Sequence, residues 1–91
     1  MLFNVTSAAL EALLHGRISE GHPSGQVMRV IWDGDDLAFE MDEPDLLDMV
    51  FRCEGEPVLL VDPDMNADLG DMMLDVTADE EGYNFYLTPT D

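Results

Sequence analysis

The sequence contains no lysine and only one cysteine, and it has no long run of apolar residues. A membrane-spanning helix needs about 20 mostly apolar residues, and a secretory signal needs a basic start before an apolar stretch. We therefore expect neither a membrane span nor a signal peptide, and we expect a cytoplasmic location. The single cysteine, Cys53, excludes an internal disulfide framework and fits a reducing compartment.

Basic residues are almost missing as well, whereas acidic residues are abundant. Three arginines stand against 21 aspartates and glutamates, which gives a formal net charge of -18. We expect no nucleic acid partner and no membrane partner, since both are bound through Lys and Arg. Three interpretations stay open: adaptation to high salt, a protein partner with a basic surface, or cation binding. The even spread of the acids along the chain favours salt adaptation.

The length of 91 residues predicts one small domain, residues 1–91, with a thin core. The stretch "AALEALLH" has leucines at helical spacing and predicts an N-terminal helix. Thr6 or Ser7 is a suitable cap for its start, and Gly16 is expected to end it in the left-handed conformation. His15 would then lie in the last turn of the helix.

The rest of the chain alternates with a period of two, which predicts strands in "QVMRVIW", "LAFEMD", "LDMVFRC", "VLLV", "DMMLDVT" and "YNFYLT". We expect a mainly β fold with one N-terminal helix, built as a small β-sandwich or pseudo-barrel of about six short strands. The alternation predicts which side chains are buried and which are exposed. The predicted buried set is Phe39, Phe51, Leu60, Leu74 and Phe85, and the predicted exposed set is Glu40, Asp64 and Glu80.

Acidic residues alternate after the fourth of these strands, in "DPDMNADLG". Asp62, Asp64 and Asn66 match the first three ligand positions of an EF-hand calcium loop. Ala67 stands where that loop needs glycine, and Met73 stands where it needs a bidentate glutamate. The segment is therefore predicted to be a loop or one helical turn that Asp62 can cap, with solvated acids, and we expect no metal site. These three residues remain the candidates for weak cation binding.

The remaining polar residues support neither a metal site nor a catalytic site. His15, His22 and Cys53 have no recognised ligand spacing, and Cys53 is interpreted as a small apolar strand residue. Glu40 and Asp42 share a strand face, but paired carboxylates act as acid and base only in a cleft. No phosphate loop or nucleophile motif is present. We expect no enzyme activity and no cofactor.

Several segments, in this order, resemble the HesB-like family, the A-type carriers of iron–sulfur cluster assembly. "VTSAALEALL" resembles its first helix, "VMRVIW" its arginine strand, and "GYNFYLTP" its closing Gly-Phe-x-Phe-x-Asn-Pro. "VLLVDPDMNADLGDMMLDV" resembles its apolar strand, Val-Asp-Pro turn and following strand. The matching residues are Arg29, Val61, Asp62, Pro63, Leu69, Gly70, Leu74, Asp75, Gly82, Phe85 and Pro89.

The resemblance implies the family's fold but not its chemistry. In the family, one ligand cysteine lies in a Gly-Gly-Cys-Ser-Gly loop after the arginine strand, and two follow the final Asn-Pro. Here the first loop is residues 33–36 without cysteine, the sequence stops at Asp91, and Cys53 matches none of the three. We therefore expect a non-catalytic binding or accessory protein, with partner identity and oligomeric state open. The alternative is an acidic cation-binding or high-salt-adapted protein without an iron–sulfur role.

Overall fold

The computed structural model describes residues 3–20 and 25–89, and for residues 17–20 it describes the backbone alone. The described residues form seven strands and two helices. In chain order they are β1 (Asn4–Val5), α1 (Ser7–Glu20), β2 (Val27–Asp33), β3 (Asp36–Asp42), β4 (Met49–Cys53), β5 (Glu56–Val61), α2 (Pro63–Asp68), β6 (Met72–Asp79) and β7 (Gly82–Pro89). The predicted mainly β fold is confirmed. Strand β1 was not predicted from the sequence, because two residues are too few to show an alternation.

The strands form two sheets. The larger sheet has the order β3-β2-β5-β4, and the smaller sheet has the order β1-β6-β7. Three hairpins are antiparallel, β2 with β3, β4 with β5 and β6 with β7, whereas β2 pairs with β5, and β1 with β6, in parallel. α1 packs against β4, β5 and β6 and so covers both sheets. Strand β5 lies inside the larger sheet and under the helix, and its last four residues are buried.

The core lies between α1 and the two sheets. Leu60 and Leu74 are fully buried, as predicted. Phe39, Phe51 and Phe85 are only half-buried, so the prediction was too strong for them. The reason is their position, since each lies on a strand at the edge of its sheet. Among the side chains that the structure describes, the buried apolar ones are Phe3, Val5, Ala9, Ala12, Leu13, Leu14, Val27, Val30, Val58, Leu59, Leu60, Val61, Met65, Leu69 and Leu74.

The aromatic side chains close the edges of this core by ring contacts. Phe39 and Phe85 meet edge to face, with ring centroids 5.4 Å apart, and so join β3 to β7 across the two sheets. Phe3 and Phe51 make the same kind of contact at 6.0 Å. Edge-to-face pairs of this kind add stabilisation beyond the area they bury. The three acids predicted to be exposed, Glu40, Asp64 and Glu80, are exposed.

The first helix begins as predicted but ends later. The Thr6 hydroxyl accepts a hydrogen bond from the Ala9 amide at 3.1 Å, which is the geometry of an N-cap. The predicted end at Gly16 is wrong, because α1 continues to Glu20. A glycine inside a helix costs only about 1 kcal/mol relative to alanine, so it does not force a helix to end. His15 therefore lies well before the end of the helix. Neither described helix is long and apolar enough to span a membrane.

Tight turns join the antiparallel pairs. Gly34 has a positive φ, 67°, between β2 and β3. Glu54 and Gly55 have φ values of 53° and 83° between β4 and β5. Two consecutive positive values match the twist of a two-residue hairpin, which explains the glycine at the second position. These turns fix the positions of the strand ends in the larger sheet. The longer connection of residues 43–48 starts and finishes at two of those strand ends.

Candidate functional site at Arg29 and the connection between β3 and β4

Arg29 is a buried charged residue in the middle of strand β2. Only 8% of its surface is exposed, and apolar residues surround it along the strand. A buried charge is tolerated only when it is paired and hydrogen-bonded. The Arg29 Nε donates to Asp42 Oδ2 at 2.8 Å. Its Nη1 and Nη2 donate to the two carboxylate oxygens of Asp48, each at 2.7 Å. The parallel pair of bonds to Asp48 is the strongest geometry available to an arginine.

The register of the hairpin explains how these groups meet. Across β2 and β3, Arg29 lies opposite Glu40, and Asp42 follows two residues later at the end of β3. Asp48 directly precedes β4, at the end of the connection. The connection therefore passes around the guanidinium, and Arg29 Nη2 also lies 3.4 Å from the carbonyl oxygen of Glu43. One arginine thus fixes both ends of the six-residue connection.

The charges of this cluster hold each other in the ionised state. The hydrogen bond to Asp48 raises the pKa of Arg29, and burial opposes this rise. The same bond lowers the pKa of Asp48. The pKa of Asp42 is lowered first by the amide of Glu43 and then by Arg29. All three groups stay charged near neutral pH, so the cluster carries one positive and two negative charges.

The connection itself contains a tight turn that begins at Asp45 and ends at Asp48. The Asp48 amide donates to the Asp45 carbonyl at 3.1 Å, and the Asp45 amide donates to Asp48 Oδ2 at 2.7 Å. Asp48 therefore belongs to the turn and to the arginine pair at once. Leu46 and Leu47 form the tip of this turn, with 101% and 76% of their surfaces exposed.

A shallow depression of about 370 Å³ lies beside the turn. It is lined by Arg29, Asp42, Asp45, Leu47, Asp48, Asp62 and Pro63. Most of its polar groups are carboxylates, and its arginine is already paired with two of them. The depression is therefore unsuited to an anionic ligand, and its apolar contribution comes chiefly from Leu47 and Pro63.

The three candidates for weak cation binding lie at the start of α2. Asp62 caps this helix, as predicted, since its Oδ1 accepts from the Met65 amide at 2.8 Å. The Asn66 Oδ1 accepts from the Phe3 amide at 3.3 Å, and Asp64 is exposed. Two of the three side chains thus hold backbone amides in place. Within residues 3–20 and 25–89, no three His, Cys, Asp or Glu residues form a group able to hold a metal ion.

Among the described residues, His15 and Cys53 do not belong to a group able to hold a metal ion. His15 is exposed on α1, with its ring 6.0 Å from that of Tyr83. Cys53 is half-buried on β4, and His22 lies outside the described residues. Burial raises the pKa of the Cys53 thiol, and the nearby charges of Glu54 and Glu11 raise it further. Of the two carboxylates Glu40 and Asp42, Asp42 is bonded to Arg29 at 2.8 Å, and Glu40 is exposed.

A second polar cluster joins the start of α1 to the smaller sheet. The Thr6 hydroxyl donates to Asp75 Oδ1 at 2.9 Å, and the Tyr86 hydroxyl donates to Asp75 Oδ2 at 3.1 Å. The pKa of Asp75 is lowered first by the Val76 amide and then by Thr6. Thr6 and Asp75 belong to two segments that carry the family resemblance, and the structure gives them a shared structural role.

Sequence reasoning missed the partners of Arg29 and the turn at residues 45–48. One signal was available, since an arginine in an otherwise apolar strand requires a buried acidic partner. A second signal was the apolar pair Leu46 and Leu47 between two aspartates, in a segment rich in turn-forming residues. Neither signal identifies which of the 21 acids pairs with Arg29, because that depends on the path of the connection.

Comparison with known proteins gives similarity in structure only. No protein-family model matches the sequence, and no curated protein matches it. The solution NMR structure of a protein from Aquifex aeolicus is similar, with a TM-score of 0.65 and 23% identity over 94% of this chain and 89% of that chain.

Two further solved structures carry functional names. IscA, solved with a [2Fe-2S] cluster, has a TM-score of 0.61 and 18% identity over 97% of this chain and 85% of its own. Escherichia coli SufA, which is involved in the biosynthesis of iron–sulfur clusters, has a TM-score of 0.61 and 19% identity over 96% and 79%. At these identities the likeness concerns the fold. The chain has the HesB-like fold, and its one cysteine is consistent with a sequence that lacks the three cluster ligands of that family.

Proposed function

We propose that this chain is a non-catalytic binding or accessory protein that uses the fold of iron–sulfur cluster carriers without ligating a cluster. It acts in the cytoplasm through contacts with a protein partner. The observation that carries this proposal is the state of Cys53, the one cysteine in the sequence.

Cys53 is a poor cluster ligand for two reasons. A cluster is held by thiolates and normally needs four ligand positions, and this chain offers one thiol. That thiol is half-buried against the core, and burial and two nearby glutamates raise its pKa. A raised pKa reduces the fraction of thiolate at neutral pH, which weakens metal binding. Two copies of the chain would still supply only two thiols.

The ionisable groups also support a non-catalytic role. General acids and bases work best with a pKa near the operating pH. Within the described part of the chain, the carboxyl groups with clearly shifted pKa values are those of Asp42, Asp48 and Asp75, and all three are shifted downwards, away from neutrality. Each of them is bonded to other groups of the protein. Such shifts are typical of structural ion pairs and caps.

Anaerobic reconstitution with iron and sulfide tests the proposal directly. We expect no stoichiometric visible absorption from a cluster, and the same spectrum for wild type and Cys53→Ser. A stoichiometric band that disappears in Cys53→Ser would overturn the proposal. In the native host, a deletion strain complemented with either form should behave alike, because a role through contacts does not require the thiol.

A further inference from the structure

Leu46 and Leu47 are exposed, so burial in the core does not explain why leucine occurs at these two positions. They occupy the two central positions of the turn at residues 45–48, and they are more exposed than the other large apolar side chains that the structure leaves at the surface. Central turn positions usually carry Gly, Pro, Asn, Asp or Ser. Exposed single leucines are common, but two adjacent ones at a turn tip form a small apolar projection.

The buried ion pair of Arg29 and Asp48 fixes the turn that carries the projection. Arg29 binds both oxygens of Asp48, whose side chain is 1% exposed. The Asp48 carboxylate and amide in turn bond to the amide and carbonyl of Asp45. The turn is therefore fixed before any partner arrives, which reduces the entropy lost on binding. A flexible loop with the same sequence would lose more conformational freedom.

The surroundings of the projection are negatively charged. The side chain of Asp42 is 47% exposed beside it, Glu43 and Asp45 are exposed in the connection, and Asp62 lines the adjacent depression. A matching surface has an apolar pocket with Lys or Arg at its rim. A second copy of the chain is a poor match, because each copy carries a net charge of -18. Nucleic acids and anionic membranes are repelled for the same reason.

From this geometry we propose that Leu46 and Leu47 dock into an apolar pocket rimmed by basic side chains on a partner protein. The inference rests on the proposed function and names the surface that carries it. Arg29 and Asp48 are positioning residues in this arrangement. The two leucines supply the apolar contact, and the acids around them supply orientation and fast association.

A displayed library of random peptides provides the probe. The library is selected on the wild-type chain and counter-selected on the double variant Leu46→Ser, Leu47→Ser. We expect the enriched peptides to combine Lys or Arg with large apolar residues. As synthetic peptides, they should bind the double variant about tenfold more weakly or worse than wild type, the usual effect of losing a central apolar anchor. Their affinity should fall as salt rises.

Trp32→Ser is the matched control. Trp32 is 40% exposed and pairs with Leu37 at one end of the β2–β3 hairpin, whereas the connection leaves β3 at the other end, after Asp42. The selected peptides should bind this variant like wild type, and thermal melts should show that both variants are folded.

Three outcomes overturn the inference: no enrichment over the double variant, enriched peptides without basic residues, or equal losses in Trp32→Ser. Each of them leaves the proposed accessory function standing. That function fails separately, when iron reconstitution gives a cluster that depends on Cys53.

Discussion

The dipeptide Leu-Leu occurs in two segments of this protein, and its side chains are buried in one segment and exposed in the other. In strand β5, Leu59 and Leu60 are each 0% exposed. In the connection between β3 and β4, Leu46 and Leu47 are 101% and 76% exposed. The side chains are identical, so the hydrophobic character of leucine alone does not decide where it goes.

The flanking residues make the difference. Leu59 and Leu60 stand in "PVLLVD", a continuous apolar run typical of a strand buried on both faces. Leu46 and Leu47 stand in "PDLLDM", where Asp48 accepts from the Asp45 amide through its carboxylate and donates its own amide to the Asp45 carbonyl, which closes a turn. A turn points its central side chains outwards. The turn closed by the two aspartates therefore leaves the two leucines exposed.

The two segments also depend on different forces. Strand β5 is hydrogen-bonded between β2 and β4, and the buried apolar side chains of its last four residues pack in the core under α1. The connection is held by the ion pairs of Arg29 with Asp42 and Asp48. Substitutions, pH and salt should therefore affect the two segments differently.

The largest expected effect is the loss of packing in β5. Leu59→Ala should lower the free energy of unfolding by about 2–5 kcal/mol, a large part of a total of about 5–15 kcal/mol. Urea unfolding monitored by circular dichroism measures it. Leu87→Ala is the control, since Leu87 is half-buried on the edge strand β7 and should cost less. Equal losses would contradict a core centred on β5.

The next effect is the loss of the buried ion pair. Asp48→Asn should lower the free energy of unfolding by about 3 kcal/mol, because it leaves Arg29 buried with only Asp42 as a carboxylate partner. Asp64→Asn, which changes an exposed acid to the same amide, should stay within about 0.5 kcal/mol of wild type. Chemical denaturation of the three proteins compares them. A neutral Asp48→Asn would show that the connection does not depend on this pair.

The effect of Asp48 should also depend on pH. Its pKa is lowered in the folded protein, so its contribution to stability is complete above the unfolded pKa of about 3.9 and is lost as pH falls through the folded pKa. The stability difference between wild type and Asp48→Asn should be constant from neutral pH down to that range, then shrink. Taking the difference cancels the repulsion that both proteins share. A difference that is already falling well above that range would contradict the assigned direction.

The two segments also differ in how far sequence predicts them. The apolar run of β5 and the alternation in β6 predict Leu60 and Leu74 as buried, and both are. The cap at Asp62 is equally local and was predicted. The pair of Arg29 with Asp48 was not predictable, because it joins residues 19 positions apart through the path of a connection. The half-burial of Phe51 depends on strand order, which alternation does not specify.

Salt should affect the acidic surface and leave the packing of β5 unchanged. If the acids are a solvated surface, the melting temperature should rise with ionic strength whatever the cation, since screening relieves repulsion. Most of the rise should come below 1 M, because the Debye length falls from about 10 Å at 0.1 M to about 3 Å at 1 M. Melts in sodium, magnesium and calcium at matched ionic strength test this. A saturating rise in calcium alone, lost in Asp64→Asn, would instead favour a specific cation site at the start of α2.

The smallest expected effect concerns the exposed leucines themselves. Because Leu46 is 101% exposed and Leu47 keeps 76% of its surface exposed, folding removes little of their combined apolar surface from water. The double variant Leu46→Ser, Leu47→Ser should therefore unfold within about 0.5 kcal/mol of wild type, against the several kcal/mol expected for Leu59→Ala. Urea unfolding under the same conditions makes the comparison direct. A loss above about 1 kcal/mol would mean that the pair packs against the protein in solution, and the turn would then not be a projecting surface. An unchanged stability leaves the two leucines without a role in the fold, so that any effect of the double variant on peptide binding arises at the surface itself.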